Sequence, residues 1–189
     1  MFGLGNREKG IAQGIRRGDN AAMRDFYDLY SGRLTAVCSR YVGNPDDVKD
    51  VMQDVMLAVI SHIDSFTYRG EGSLPAWAMR IAVTRSLSFL RKQSRLCAVS
   101  LDNEAGLQAE DSTDEPETAS IPPQELHSMV SQLPDGYRTV FNLYVIEGRS
   151  HREIAGLLGI KESSSASQLH RAKAILARRI REYMNGKEA

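Results

Sequence analysis

The sequence predicts an all-α protein: two small helical domains joined by a flexible acidic linker, with a helix-turn-helix in the C-terminal one. Three observations carry this. Apolar residues recur at helical spacing through most of the chain. Alternating β-branched runs bounded by hairpin turns are missing. The stretch Ala98–Gln124 is rich in Asp, Glu, Ser and Thr, lacks aromatics, and closes with Pro116 and Pro122-Pro123, which is the composition of a tether. The boundaries are placed at 1–96, 97–123 and 124–189.

Four helices are expected in the N-terminal domain. The first covers about 7–17 and ends at Gly18. The second covers about 20–42, with Met23, Phe26, Tyr27, Tyr30, Leu34, Val37, Cys38 and Tyr41 inward. Asn44-Pro45 starts the third as an N-cap with proline at the first helical position, and its inner face is Val48, Val51 or Met52, Val55, Met56 and Val59. A loop over Asp64–Ser73 holds Phe66, Tyr68, Arg69, Gly70 and Gly72. The last helix runs from about Leu74 to Arg95, with Trp77, Ile81, Val83 or Thr84, Leu87 and Leu90 buried.

In the C-terminal domain, Leu133-Pro134-Asp135 breaks the chain before a helix carrying Tyr137, Val140, Phe141, Tyr144 and Val145 at apolar spacing, capped by Gly148. Ser150 and Glu153 have the form of a capping box. The short helix they open turns Ile154, Ala155, Leu157 and Leu158 inward and stops at Gly159. After the turn Gly159-Ile160-Lys161, a third run passes through Ser165, Leu169, Ala172 and Leu176. Two helices joined by a Gly-containing turn can be an ordinary αα-hairpin or a helix-turn-helix whose second helix enters the major groove. Small and basic side chains outside the third run favour the DNA reading.

Composition narrows the classes. Average charge content and apolar fraction describe a globular chain, and no apolar run approaches the roughly 20 residues that span a bilayer. The N-terminus has no secretory pattern. Cys38 and Cys97 stand in no metal spacing, and His151 and His170 are isolated, so no metal or other cofactor is expected and the histidines read as surface residues. A reducing cytoplasm fits, with the cysteines as small apolar packing residues. The formal net charge of zero conceals three blocks: +4 over residues 1–95, seven acids without one Lys or Arg over 96–124, and +3 over 125–189.

The third helix has an unusual polar face. Asp46 and Asp47 suit a helix N-terminus, but Asp46–Asp50 and Asp50–Asp54 are like-charged i,i+4 pairs that cost about 0.2–0.5 kcal/mol each. With Gln53 beside them they form either a docking face for a basic partner or a merely solvated one; spacing alone leaves both open. The fourth helix is opposite in sign, with Arg80, Arg85, Arg91, Lys92 and Arg95 on its polar side and Trp77 and Phe89 as aromatic surface. Together with the Phe66–Ser73 loop this resembles a surface for single-stranded nucleic acid, although a lone Trp77 at helical spacing also reads as core. In the last helix Ser163, Ser164, Ala166, Ser167, Gln168, His170 and Arg171 are outward, and Lys173, Arg178, Arg179 and Arg181 extend the basic character. No Ser/His/Asp or Cys/His set, phosphate loop or metal spacing points to catalysis.

Four segments in order resemble the extracytoplasmic-function (ECF) class of bacterial RNA polymerase sigma factors: Phe26–Tyr30, Asp46–Met56, the run WAMRIAVTRSLSFLR from Trp77 to Arg91, and Leu133–Lys173 with its YRTVFNLYVIEGRSHREIAGLLGI. The resemblance implies a non-enzymatic promoter-specificity subunit that docks on core RNA polymerase and recognises −35 and −10 promoter DNA. It assigns Asp47, Asp50, Gln53 and Asp54 to the polymerase clamp. Phe66, Tyr68, Arg69, Trp77, Arg80, Arg85, Arg91 and Lys92 fall to the opened −10 strand. Ser163, Ser164, Ser167, Gln168, Arg171 and Lys173 fall to the −35 element. An anti-sigma factor is a further partner the resemblance admits; membrane insertion is not implied. The chain departs from the family pattern at Thr84, where Asn is common, at Val83 and Ser88, and at Ala166 and Gln168, where basic residues are frequent. Competing readings are an autonomous dimeric helix-turn-helix regulator, which leaves the acidic face without a role, and an enzyme with a DNA-binding tail, which no residue pattern supports.

Overall fold

A computed structural model describes residues 4–93 and 121–187, and the chain divides into two units, Met1–Leu90 and Arg91–Ala189. Every regular element among the described residues is helical. The expected linker lies largely outside the described residues, but Ile121 is buried in the core of the second unit and Pro123 begins a helix, so the folded unit starts before residue 124.

The first unit opens with α1 (Leu4–Arg16) and α2 (Asn20–Tyr41). Asp19 caps α2 by accepting from the Ala21 N–H at 2.8 Å. A Cβ on Gly14 would collide with the Ala22 side chain, so glycine there lets α1 lie close on α2. The buried stripe of α2 is Ala22, Phe26, Tyr30, Leu34, Val37, Cys38 and Tyr41. Tyr27, expected inward, is exposed, and Met23 is half-buried: a stripe anchored on Phe26 turns the next residue about 100° away. Cys38 packs as a small apolar residue, and burial pushes its thiol pKa up.

Asn44 caps α3 (Pro45–His62), accepting from Asp46 and Asp47, with Pro45 in the first turn as expected. Val48, Val51, Met52, Val55, Ala58 and Val59 are buried; Met56 is only half so. A 3₁₀ turn, Ile63–Ser65, leads into the loop before α4 (Ser73–Lys92). The buried face of α4 is Leu74, Ala78, Ala82, Ser86, Leu87 and Leu90. Trp77, Ile81, Val83 and Thr84, expected inside, are half-buried or exposed. The small alanines at i,i+4 permit close packing there, whereas a reading by side-chain size favours the larger residues. Ser86 is buried at little cost because its hydroxyl donates to the Ala82 carbonyl at 2.8 Å.

The second unit contains α5 (Pro123–Ser131), α6 (Asp135–Phe141), a π-turn (Asn142–Ile146), α7 (His151–Leu158) and α8 (Glu162–Lys187). Helix α5 did not stand out in the sequence. Met129, Leu133 and Tyr137 pack with Ala172, Ile175, Leu176 and Ile180 of α8. Buried Arg138 ties the α5–α6 corner, donating to the Ser131 and Leu133 carbonyls and pairing with Asp135. In the π-turn the Glu147 N–H bonds the Asn142 carbonyl, five residues back. The added residue swings Tyr144 and Val145 out of the apolar stripe, and both are exposed rather than inward.

The capping box is formed: Glu153 N–H donates to Ser150 Oγ, and Ser150 N–H donates to Glu153 Oε2 at 2.9 Å. Gly159 takes the left-handed conformation, φ 70°, that stops α7 and turns the chain into α8. Ile154 and Leu158 are buried, Ala155 is half-buried and Leu157 is exposed. The positions that mark the third run, Ser165, Leu169, Ala172 and Leu176, are all buried in α8.

Candidate functional site

Three surfaces carry the residues singled out above. The first lies along α3. Asp50, Gln53, Asp54 and Leu57 follow at i, i+3, i+4 and i+7, so they share one face, and all four are exposed. Asp47 is half-buried at its edge. Lys49 answers Asp46 across 2.8 Å, but among the described residues neither Asp50 nor Asp54 has an ion-pair partner. Leu57, 63% exposed beside them, was not singled out in the sequence; its place three and four residues after Asp54 and Gln53 was the available signal.

The second surface is a groove of about 390 Å³ between the end of α3 and the outer face of α4, lined by Ala58, His62, Ser65, Trp77, Arg80, Ile81, Thr84 and Arg85. Trp77, Arg80, Ile81, Thr84 and Arg85 recur at i, i+3, i+4, i+7 and i+8, which is why one helix face supplies most of the lining. Two guanidinium groups and an indole plane thus stand together. Two polar side chains accompany them: Thr84 donates its hydroxyl hydrogen to the Arg80 carbonyl at 2.9 Å, leaving its lone pairs. His62 donates from Nδ1 to the Ala58 carbonyl at 2.9 Å, which turns Nε2 away from that bond. His62, Ile81 and Thr84 are additions to the expected set.

Of that set, Trp77, Arg80 and Arg85 line the groove, whereas Tyr68, Arg69, Arg91 and Lys92 lie outside its lining, with Arg69, Arg91 and Lys92 exposed and Tyr68 half-buried. Phe66 does not fit its expected role. It is 3% exposed and its ring lies 5.4 Å from that of Trp77, so it backs the indole instead of offering a plane of its own. Trp77 itself is half-buried, packing on Phe66 and lining the groove.

The third surface is the outer face of α8. Ser163, Ala166, Ser167, His170 and Lys173 are exposed, and Ser164, Gln168 and Arg171 half-buried. The Ser167 hydroxyl donates to the Ser163 carbonyl at 2.9 Å and keeps lone pairs outward. Arg171 is partly committed, donating to the Tyr137 hydroxyl at 3.2 Å. Arg179 is committed further: it donates to the Met129 and Gln132 carbonyls at the end of α5, where a cation suits the helix C-terminus. His151 is not a plain surface histidine; it stacks on Tyr144 with ring centroids 4.6 Å apart and bonds Ser165 Oγ at 3.0 Å, locking α7 to α8. Among the described residues no cluster of His, Cys, Asp and Glu could hold a metal ion, and no helix is long and apolar enough to cross a membrane.

Comparison with known proteins bears on the same two units. The family model for Sigma-70 region 2 matches residues 26–96, and that for Sigma-70, region 4 matches residues 123–176. The ECF RNA polymerase sigma factor SigF of Caulobacter vibrioides is 32% identical over 165 residues, covering 87% of this chain and 88% of the relative. SigW of Bacillus subtilis, also an ECF RNA polymerase sigma factor, is 28% identical over 179 residues, covering 89% and 94%. Among solved structures, the sigma factor RpoE in complex with the anti-sigma factor NepR from Bartonella quintana is similar at 22% identity and a TM-score of 0.46, over 82% of this chain and 94% of that one.

Proposed function

The chain belongs to the ECF RNA polymerase sigma factors and is a promoter-recognition subunit of RNA polymerase, and we propose that its three surfaces divide that work. The acidic face of α3, with Asp47, Asp50, Gln53, Asp54 and Leu57, docks on a basic surface of the core enzyme. The groove of α4 holds the opened −10 strand. The outer face of α8 reads the −35 duplex.

The observation that carries the reading is the groove, where Trp77, Arg80 and Arg85 stand on one helix face beside His62 and the Thr84 hydroxyl. An unstacked base needs a π-face to lie against and edge groups to bond, and its phosphate needs a cation; this lining offers all of them. Duplex DNA keeps its bases stacked and away from such a site, so binding favours the open form and opening is driven by capture of the strand. On α8, Ser163, Ser164 and Ser167 lie in the first turns, where backbone N–H groups and short hydroxyls approach phosphates, while Gln168 and Lys173 reach further.

Each unit alone presents few contacts. Docking on a common core enzyme makes the second promoter contact effectively intramolecular, which raises affinity without new contacts. The work consists of binding and opening with no reaction step, and it belongs in the cytoplasmic compartment where the polymerase acts.

Run-off transcription tests the proposal. Purified bacterial core polymerase is given a genomic promoter library with and without the protein. Discrete start sites that depend on the protein are expected, with a shared pair of sequence elements upstream. Absence of such starts, with the chain folded and the core shown active on a partner sigma factor, would sink the division of labour drawn here.

A further inference from the structure

Helix α1 touches the loop before α4 at both of its ends. At the far end Glu8, 5% exposed, accepts the Gly72 N–H on Oε1 at 2.8 Å and the Leu74 N–H on Oε2 at 3.2 Å. A buried carboxylate is costly unless bonded, and here two N–H donors and the positive end of α4 offset the burial. Those bonds complete the first turn of α4. Ser73 N–H bonds the Gly70 carbonyl, Ala76 N–H bonds the Gly72 carbonyl, and Pro75 has no N–H. At the near end the Arg16 guanidinium donates through Nη2 to the carbonyls of Ile63, at 3.3 Å, and Phe66, while its Nε lies 3.8 Å from Asp64.

The loop held in this way needs holding. Gly70 and Gly72 have φ of 119° and 84°, backbone that is free to move when nothing fixes it. Its shape sets the groove, because Arg16 grips the carbonyl of Phe66 and the Phe66 ring backs Trp77. Neither residue suits direct contact with the strand: Glu8 is buried and its charge repels phosphate, and Arg16 turns Nη2 to two backbone carbonyls with its Nε beside Asp64.

We propose that Glu8 and Arg16 are positioning residues for the −10 strand: α1 clamps the 63–74 loop from both ends, so the groove is ordered before DNA arrives. Ordering a loop in advance removes that entropy from the binding step. The inference rests on the reading of the groove as the strand site.

The test uses holoenzyme assembled from the full chain and core polymerase, with a fluorescent non-template −10 oligonucleotide from a promoter mapped by run-off. Glu8→Gln and Arg16→Gln are each expected to weaken oligonucleotide binding roughly tenfold, by loss of charge-assisted bonds. Core affinity and binding to a −35 duplex fragment should stay at wild-type level, and Arg16→Lys should recover part of the loss. If both glutamine variants bind the oligonucleotide as wild type does while Trp77→Ala loses it, the clamp is wrong and the groove stands. If Trp77→Ala binds normally too, the groove reading fails and takes the clamp with it. If Glu8→Gln lowers every binding activity together with the melting temperature, Glu8 serves folding alone. The more exposed Arg16→Gln then decides: unchanged oligonucleotide affinity overturns the proposal, and a selective loss upholds it.

Discussion

Phe66 and Trp77 are neighbours, their ring centroids 5.4 Å apart, yet the two side chains answer to different demands. Phe66 is enclosed by the first unit, so truncating it leaves a cavity; Phe66→Ala is expected to cost about 3–5 kcal/mol of stability. Trp77 keeps part of its ring in the groove. Trp77→Leu retains most of the packing and should change stability little while weakening the opened strand by about 1–3 kcal/mol, the size of one base–aromatic stack. Urea titration of each variant alone, paired with oligonucleotide binding by its holoenzyme, separates the two effects. An unaltered strand affinity in Trp77→Leu means no base lies on the indole. The same contrast shows what residue type leaves open. Arg179 and Arg80 both read as basic surface, but Arg179 closes the end of α5, and only partners distant in sequence reveal which charge remains available.

Helix boundaries were legible where a local bond sets them. Asn44, the Ser150–Glu153 box and Gly159 act over four residues or fewer, and each stands in the structure as the sequence predicted. Faces were less legible, because neighbours distant in sequence decide them. The small residues Ala78 and Ala82 form the buried side of α4, and a π-turn rotates Tyr144 and Val145 into solvent. The groove was half legible: its arginines and Trp77 stood out, whereas His62 comes from another helix. Two expectations belong at this scale. The exposed acidic face of α3 predicts that Asp50→Lys with Asp54→Lys keeps the helical circular-dichroism signal but abolishes association with core polymerase; retained association would remove that face from the interface. In α7 the Ser150 backbone N–H first, then its hydroxyl and Arg149, hold the Glu153 carboxyl below the ordinary glutamate range. The folded state thus favours the carboxylate. Its contribution is present above the unfolded value of about 4.3 and fades as pH falls through the lower folded one. The stability difference between wild type and Glu153→Gln should accordingly be largest near neutrality and shrink in acid. Urea midpoints at several pH values check this, and a difference independent of pH means that charge plays no part in the cap.

For the whole molecule, zero net charge is the sum of two basic blocks and an acidic connector of seven carboxylates. That arrangement bears on what the chain does before it meets polymerase. Lys and Arg on a free chain attract any duplex by releasing counterions, whatever its sequence. Carboxylates on the same chain are expected to compete for those cations at high effective concentration. The charge pattern therefore predicts that free chain binds random DNA weakly until the core enzyme fixes both units. Converting Asp102, Glu104, Glu110, Asp111, Asp114, Glu115 and Glu117 to their amides takes the formal charge from zero to +7. The free variant should bind random-sequence duplex more tightly than wild type, with a steeper fall in affinity as salt rises, and its holoenzyme should discriminate less between promoter and random DNA. Fluorescence anisotropy over a salt series reads both quantities. Matching curves for the two proteins would mean that the acids do not compete with DNA.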